Sequence, residues 1–454
     1  MKRNVLKTLY ISLFFLLCLV PSLGIAVFGP SEAAANEVLS RTPSLRTREG
    51  ILNVEVLNEA ADWTADHFAL RQEFATAWSA VQARLFRSSA EEKVILGRDD
   101  WLYYRESLDD YRGIGLRQEQ LDAAVRNLAL MQEYAEAKGA VFVFTVAPNK
   151  NSLYPEHMPA SIVGSHERSN AERIAALLNR SGINYVNLFD KFGAEREILY
   201  FQTDSHWNAR GAALAADCLL AAGGRASAFY SSVFDPGPDH TGDLYEMLYP
   251  AGSFREQDWS YAPGFSYRTE KDPNGGNAVS IDTENPDGVG TLLCWRDSFG
   301  VSLYPYLAEC FERAQFSRST SYDLARMETE ETSMVMIELV ERNLDYLVKN
   351  MAVYPAPLRE IPPALPGGTV SVQTEKGKTP SSREMVKLTC SLPESAVDAS
   401  MPAYFLCGEV CCEAAVLFPE EGRVEISAWI PVQEVGEIAV FCGNEGGYMR
   451  YDAA

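Results

Sequence analysis

The chain has 454 residues, 47% of them hydrophobic and 22% charged, which are the proportions of a globular protein with room for two cores. Acidic residues outnumber basic ones 62 to 40, and a formal charge of −22 repels phosphate backbones, so a nucleic-acid partner is disfavoured.

In chain order, Lys2, Arg3 and Lys7 precede an uncharged stretch from Leu9 to Phe28 that is long enough to cross a bilayer core. Residues 1–28 are therefore expected as an uncleaved membrane anchor. The alternative is a signal segment, cleaved near Ala33, Ala34 and Ala35. Both readings put the remainder outside the cytoplasm. Residues 29–50 read as a tether. From Val54 to Ser88 the pattern is helical, with Trp63, Phe68, Phe74, Trp78 and Leu85 on one stripe. KVILGRDDWLYY breaks at Gly97 and Asp99–Asp100, as a hairpin does.

Strands then alternate with helices. A helix over 118–138 leads to the apolar run Ala140–Val146. A helix over 168–180 precedes a strand over 184–189, and a helix over 208–222 follows. Residues 234–290 show no sustained periodicity. Further strands are expected over 291–295, 315–320 and 333–339, with helices after Gly300 and over 341–350. Continuous apolar strands separated by helices imply an α/β domain over 51–353, its sheet parallel and covered on both faces. The run over 354–368 holds five prolines and two glycines and reads as a stiff linker. Beyond it, 369–454 alternates in period 2, as in a small β domain of sandwich type. Nine cysteines include the cluster Cys407, Cys411 and Cys412, but no histidine follows them, so buried thiols or disulfides are expected and no metal.

Two segments carry chemistry. Tyr200-Phe-Gln-Thr-Asp204-Ser-His206-Trp207-Asn208 opens a helix, and Arg296-Asp297-Ser298-Phe299-Gly300 lies between a buried strand and a helix. A serine in such a turn is exposed at the carboxyl edge of the sheet, beside backbone N–H groups suited to an oxyanion. Its hydroxyl needs a base, for which His206 is suited; Asp204, two residues earlier, can orient the imidazole. The plainer alternative is that each segment only caps its helix. Of the other histidines, His67 reads as structural, and His157, His166 and His240 lie in loops with no comparable pattern. Asn149 and Lys150 end another strand; Asn149 suits an oxyanion or a sugar and Lys150 an acidic sugar's carboxylate, or the two simply form a turn with a solvated lysine. Tyr200 and Trp207 could stack on a sugar, Trp207 more readily as packing. Glu338 and Arg342 are expected to form an ion pair.

KVILGRDDWLYY, VAPNKNSLYPEHMP, TDSHWNARGA, CWRDSFG and, more loosely, MVMIELVERNL together resemble the DHHW family and the SGNH-like alginate O-acetyltransferases of bacterial envelopes. The resemblance covers about residues 50–350 and leaves out the β domain. It implies an SGNH-hydrolase-like, flavodoxin-type fold, with the family's Asp, His and nucleophilic Ser at Asp204, His206 and Ser298. Arg296 departs from the glycine many relatives carry there, and it joins Asn149, Lys150 and Tyr200 as a candidate substrate or oxyanion contact. The implied activity is transfer of an acetyl group to a surface polysaccharide through acyl-Ser298, without a bound cofactor. The implied acyl source is a membrane-bound O-acyltransferase. A deacetylating esterase and a non-catalytic carbohydrate-binding or assembly protein are the alternatives.

Overall fold

A computed structural model describes residues 2–33, 38–47, 49–165, 168–271, 276–378, 384–432, 436–444 and 446–454. His166, Ala34 and Ala35 lie outside them. The first helix runs Lys2–Phe28, with Leu9, Tyr10, Phe14 and Phe15 exposed; the side chains of 16–18 and 20–22, Cys18 among them, are not described. Among the described residues no helix is long and apolar enough to cross a membrane. The helices Val56–His67 and Arg71–Val81 follow, separated where Leu70 adopts a left-handed φ of 61°. Their expected stripe does not turn inward: Trp78 and Leu85 are exposed.

Strands β1 (Val94–Leu96) and β2 (Leu102–Tyr104) form the expected hairpin. The main sheet contains β3 (Val141–Ala147), β4 (Tyr185–Val186), β7 (Arg268–Lys271), β8 (Ser280–Glu284), β9 (Thr291–Trp295), β10 (Arg313–Ser317) and β11 (Met334–Val340). The order is β4-β3-β11-β9-β10-β8-β7. The first five strands run parallel, but β8 and β7 add antiparallel, so the sheet is mixed rather than parallel throughout. The two antiparallel strands come from the stretch without periodicity. That stretch also holds β5 (Phe234–His240) and β6 (Glu256–Tyr261), a separate pair whose register shifts between Pro236 and Asp239. Two prolines in β5 hide a strand from any propensity argument.

Alternation along the parallel strands divides the interior into two cores. Phe142, Phe144 and Val146 point with Val335 and Ile337 toward helices Gln118–Ala137 and Asn170–Ser181. Val143, Ala147, Met334 and Met336 point the other way, onto helices Ala209–Ala222 and Gly300–Ala308. The expected helix over 341–350 is two short turns, Glu341–Asn343 and Tyr346–Lys349.

The tail contains β12 (Ala364–Val370), β13 (Val372–Lys378), β14 (Glu384–Pro393), β15 (Ala403–Cys407), β16 (Val410–Leu417), β17 (Arg423–Pro431), β18 (Ile438–Asn444) and β19 (Gly447–Ala453). They form one continuous sheet, ordered β12-β19-β18-β15-β16-β17-β14-β13, where a sandwich would have two. The reason lies in β16, which pairs with β15 through Val410–Ala414 and with β17 through Ala415–Leu417, so a single strand joins both halves. No disulfide joins the described cysteines.

The proline-rich run does not act as a free linker. Ala356 and Arg359 donate backbone hydrogen bonds to Trp429 and Cys411, at 2.8 and 2.9 Å, and Tyr354 is buried. One hydrophobic core runs from the helix Gln118–Ala137 into the tail sheet, through Leu128, Leu388, Val416 and Ile426. At that seam Asn127 donates to the carbonyls of Leu347 and Val416, both at 3.0 Å, and accepts from the Val416 N–H at 3.2 Å. Asn127→Ala should cost about 2–4 kcal/mol, because it strands buried backbone groups. A shared core also predicts a single cooperative melting transition for sheet and tail, checked by calorimetry of the variant and the wild type.

Candidate active site

The segment from Tyr200 to Asn208 folds back on itself before its helix. Phe201 N–H donates to the His206 carbonyl at 3.2 Å, and the Asn208 side chain caps the helix by accepting from Arg210 and Gly211 N–H groups. Trp207, wholly buried, ties this segment to the serine turn: its indole N–H reaches the Phe299 carbonyl at 3.1 Å and Ser302 Oγ at 2.8 Å. The result is that His206 Nε2 lies 2.8 Å from Ser298 Oγ, while His206 Nδ1 lies 2.7 Å from Asp204 Oδ1. Sequence distance between the two segments is thus closed to hydrogen-bond length. With Nδ1–H donated to Asp204, Nε2 is left to accept the serine proton.

Burial alone would push the Asp204 carboxyl up, but the charges and hydrogen bonds of His206 and His240 hold it well below the usual carboxylate range. Burial likewise pulls the His206 imidazole down, and Asp204 more than compensates, so it sits above its ordinary value. His240 is the residue that sequence reasoning missed: its Nε2 lies 2.8 Å from Asp204 Oδ2. The same oxygen accepts the Asp243 N–H at 3.0 Å. Asp243 in turn accepts from Ser205, through N–H at 2.7 Å and Oγ at 2.6 Å. Gly242 precedes it, and a Cβ there would lie 2.2 Å from the Thr203 carbonyl oxygen, so only glycine permits this approach. His240-x-Gly-Asp243 was a legible signal only to a reader who knew which loop it would meet. Asp204, His206 and Asp243 lie close together, but their facing atoms are bonded to one another, to His240 and to Ser205, so they form a hydrogen-bonded cluster and not a set of metal ligands.

The serine turn is braced from below. Asp297 accepts from Phe299 N–H at 3.0 Å, Val340 N–H at 2.8 Å and Asn343 Nδ2 at 2.9 Å. Ser298 N–H has no partner among the described residues and is available to an oxyanion. Arg296 borders the cavity beside Ser298, but its guanidinium is spent on backbone carbonyls. It is 3% exposed, its guanidinium donates to the carbonyls of Gly276 at 2.7 Å, Ala278 and Asp297, and its stem covers Gly300. A cavity of about 170 Å³ opens beside Ser298, lined by Trp295, Tyr322, Leu339 and Tyr346 with Arg318 and Thr320.

The remaining expected ligand-binding side chains are internal. Asn149 is wholly buried, donating to Asp110 at 3.2 Å and accepting from Arg342 at 3.2 Å. Tyr200 is 2% exposed and donates to the Pro148 carbonyl at 2.6 Å, so it offers no stacking face. Arg342 therefore bonds Asn149, and Glu338 accepts instead from Asp297 N–H at 3.3 Å, in place of the expected ion pair. Lys150 is buried too. Its ammonium donates to the carbonyls of Phe201, Gln202 and Asp204, at 3.2, 3.0 and 2.6 Å, because the loop turns three acceptors toward it.

Residues 94–233 match the family described as ALGX: SGNH hydrolase-like domain, acetyltransferase AlgX. The match takes in Lys150, Asp204 and His206 and ends before Ser298. The chain is similar to the probable alginate O-acetylase AlgJ of Pseudomonas syringae pv. tomato, with 29% identity over 210 residues, 44% of this chain and 52% of the relative. AlgJ of Pseudomonas fluorescens is 28% identical over 163 residues, 34% of this chain and 39% of the relative. The chain thus spans about half the length, or less, of these curated relatives. Among solved structures it is similar to Bacillus cereus PatB1 with a sulfonyl adduct, at 17% identity and a TM-score of 0.44, over 56% of this chain and 97% of that one. The matched family is among those that the sequence motifs resemble.

Burial holds the Lys150 ammonium down to about 8, from an ordinary 10.5. Between those values the unfolded chain binds the proton that the folded chain has lost, so this group's contribution to stability rises with pH across that window and is flat below it. The difference in unfolding free energy between wild type and Lys150→Met should therefore change from about pH 8 to 10.5 and stay level from 5 to 7, measured by denaturant titration. Activity of Lys150→Met should fall at every pH, since three carbonyls of the His206 loop lose their donor.

Proposed function

We propose that this SGNH-like chain is an extracytoplasmic O-acetyltransferase that acylates a surface polysaccharide through Ser298, with His206 as base and Asp204 as its orienting anion. The observation that carries the reading is the unbroken hydrogen-bond line Ser298 Oγ to His206 Nε2 and His206 Nδ1 to Asp204, with both spans under 3 Å. Ser298 Oγ attacks the acyl carbonyl carbon as its proton passes to His206. The oxyanion, met by Ser298 N–H and stabilised as imidazolium forms against Asp204, collapses and expels the donor's oxygen with that proton. A sugar hydroxyl then gives its proton to His206 while attacking acyl-Ser298, and Ser298 Oγ leaves with the proton returned. No step needs a bound cofactor.

Transfer and hydrolysis share this intermediate and differ only in whether sugar or water takes the acyl group. The names of the AlgJ relatives favour transfer to a polysaccharide. A membrane-bound acyltransferase as donor, and anchorage by the helix Lys2–Phe28, belong to the same reading. The exposed Leu9, Tyr10, Phe14 and Phe15 support the anchorage.

Ser298→Ala should lower release of p-nitrophenol from p-nitrophenyl acetate by about 10³-fold or more. An unchanged rate in the folded variant refutes the acyl-serine route. Because His206 must be neutral to accept a proton and sits above its ordinary 6.5, the wild-type rate should climb with pH through an inflection above that value.

A further inference from the structure

The Asp204 carboxylate carries two imidazoles. Oδ1 accepts from His206, through Nδ1 at 2.7 Å and its backbone N–H at 2.9 Å; Oδ2 accepts from His240 Nε2 at 2.8 Å and the Asp243 N–H at 3.0 Å. A base-orienting carboxylate needs one imidazole, so the second calls for a reason. His240 is not a packed core residue: its side chain is 33% exposed, against 6% for Asp204, and its ring stacks on Phe201 at 4.0 Å between centroids. It therefore links a buried anion to solvent. Its position at the end of β5 is held by β6, which supplies Glu256 and Asp258 as further charges facing it.

We propose that His240 is a positioning residue of this site, which fixes the second oxygen of Asp204 and by its own charge sets how strongly Asp204 can pair with His206. The inference rests on the acyl-serine reading above. With His240 neutral, Asp204 is left as a full negative charge beside His206 Nδ1, and His206 is most basic. With His240 protonated, one carboxylate serves two cations, and the His206 imidazolium is less favoured. The groups that face this pair are Asp243 and Ser205 on the His206 side, Glu256 and Asp258 on β6, and the Lys150 ammonium on the Asp204 carbonyl. Asp243, whose carboxylate lies 3.6 Å from His206 Nδ1, is itself pushed up from its ordinary value by burial and by the Asp204 charge.

The test uses the full chain and p-nitrophenyl acetate, with kcat and KM followed from pH 5 to 9 for wild type, His240→Ala, His240→Gln and Ser298→Ala. Removing the second cation should move the acid limb of kcat/KM to higher pH by about half a unit or more in both His240 variants. His240→Ala should also lower kcat about 10-fold with KM little changed, and His240→Gln, which keeps a neutral N–H donor, should recover part of that loss. An acid limb that stays in place in a folded His240→Gln protein, or an Ala variant whose only change is a lower melting temperature, overturns the proposal. If Ser298→Ala keeps the wild-type rate, the underlying acyl-serine reading fails instead.

Discussion

A carboxylate taken out of water is tolerated only where donors replace the solvent it loses, and Asp204 is the point at which this chain meets that demand. Four N–H groups surround it, from His206, His240 and Asp243, and no oxygen is left without a partner. These donors come from stretches that share no regular element: the reversed loop before the helix Ala209–Ala222, the end of β5, and the short helix Asp243–Leu248. Satisfying one anion therefore fixes three chain segments at once. Lys150 acts on the same peptide from the other side, placing a buried ammonium on the Asp204 carbonyl. Opposite charges flank one residue, and neither side chain is free to swing away.

The serine side of the site is built differently. β9 and β11 pair in parallel, with Cys294 opposite Met336 and Trp295 opposite Ile337, so the turn after β9 lies over the last residues of β11. Asp297 uses that register to accept from Val340 and Asn343, which locks the turn to its neighbour strand. Glu338, wholly buried beneath it, has one carboxyl oxygen without a hydrogen-bond partner, and burial beside Asp297 raises its pKa well above the carboxylate range. A neutral acid there avoids two adjacent negative charges under Ser298. The histidine segment is thus held by ionic groups, and the serine segment by the sheet.

What was legible in the sequence follows this division. The parallel strands announce themselves because burial on both faces demands unbroken apolar runs, as in β3 and β11. Asp204, His206 and Ser298 were legible because a serine at a strand end and a D-x-H at a helix start are local patterns. His240 was not, since nothing in HTGD reveals that it will meet an aspartate 36 residues earlier. Lys150 was misread for the opposite reason: a lysine at a sheet edge is ordinarily solvated, and only the carbonyls of Phe201, Gln202 and Asp204 turning inward make burial tolerable. The tail misled through its prolines, which look like a linker until their neighbours' backbone groups are counted. Its two expected sheets merge because one strand, β16, serves both.

The tail bears on the site through packing rather than contact. Leu128 and Leu130 of the helix Gln118–Ala137 lie in the core that also holds Phe144 and Val146 of β3 on one side and Val416 and Ile426 of the tail on the other. β3 runs straight into Asn149 and Lys150, so the level at which that helix sits sets where the ammonium meets the His206 loop. Arg359 fastens the arrangement from outside, bonding Glu133 of the helix and Glu413 of β16 with one guanidinium. A tail that only bound ligand would need a surface of its own and a small seam. This one gives its interior to the neighbouring helix, which makes it a brace for the strand that leads to Lys150.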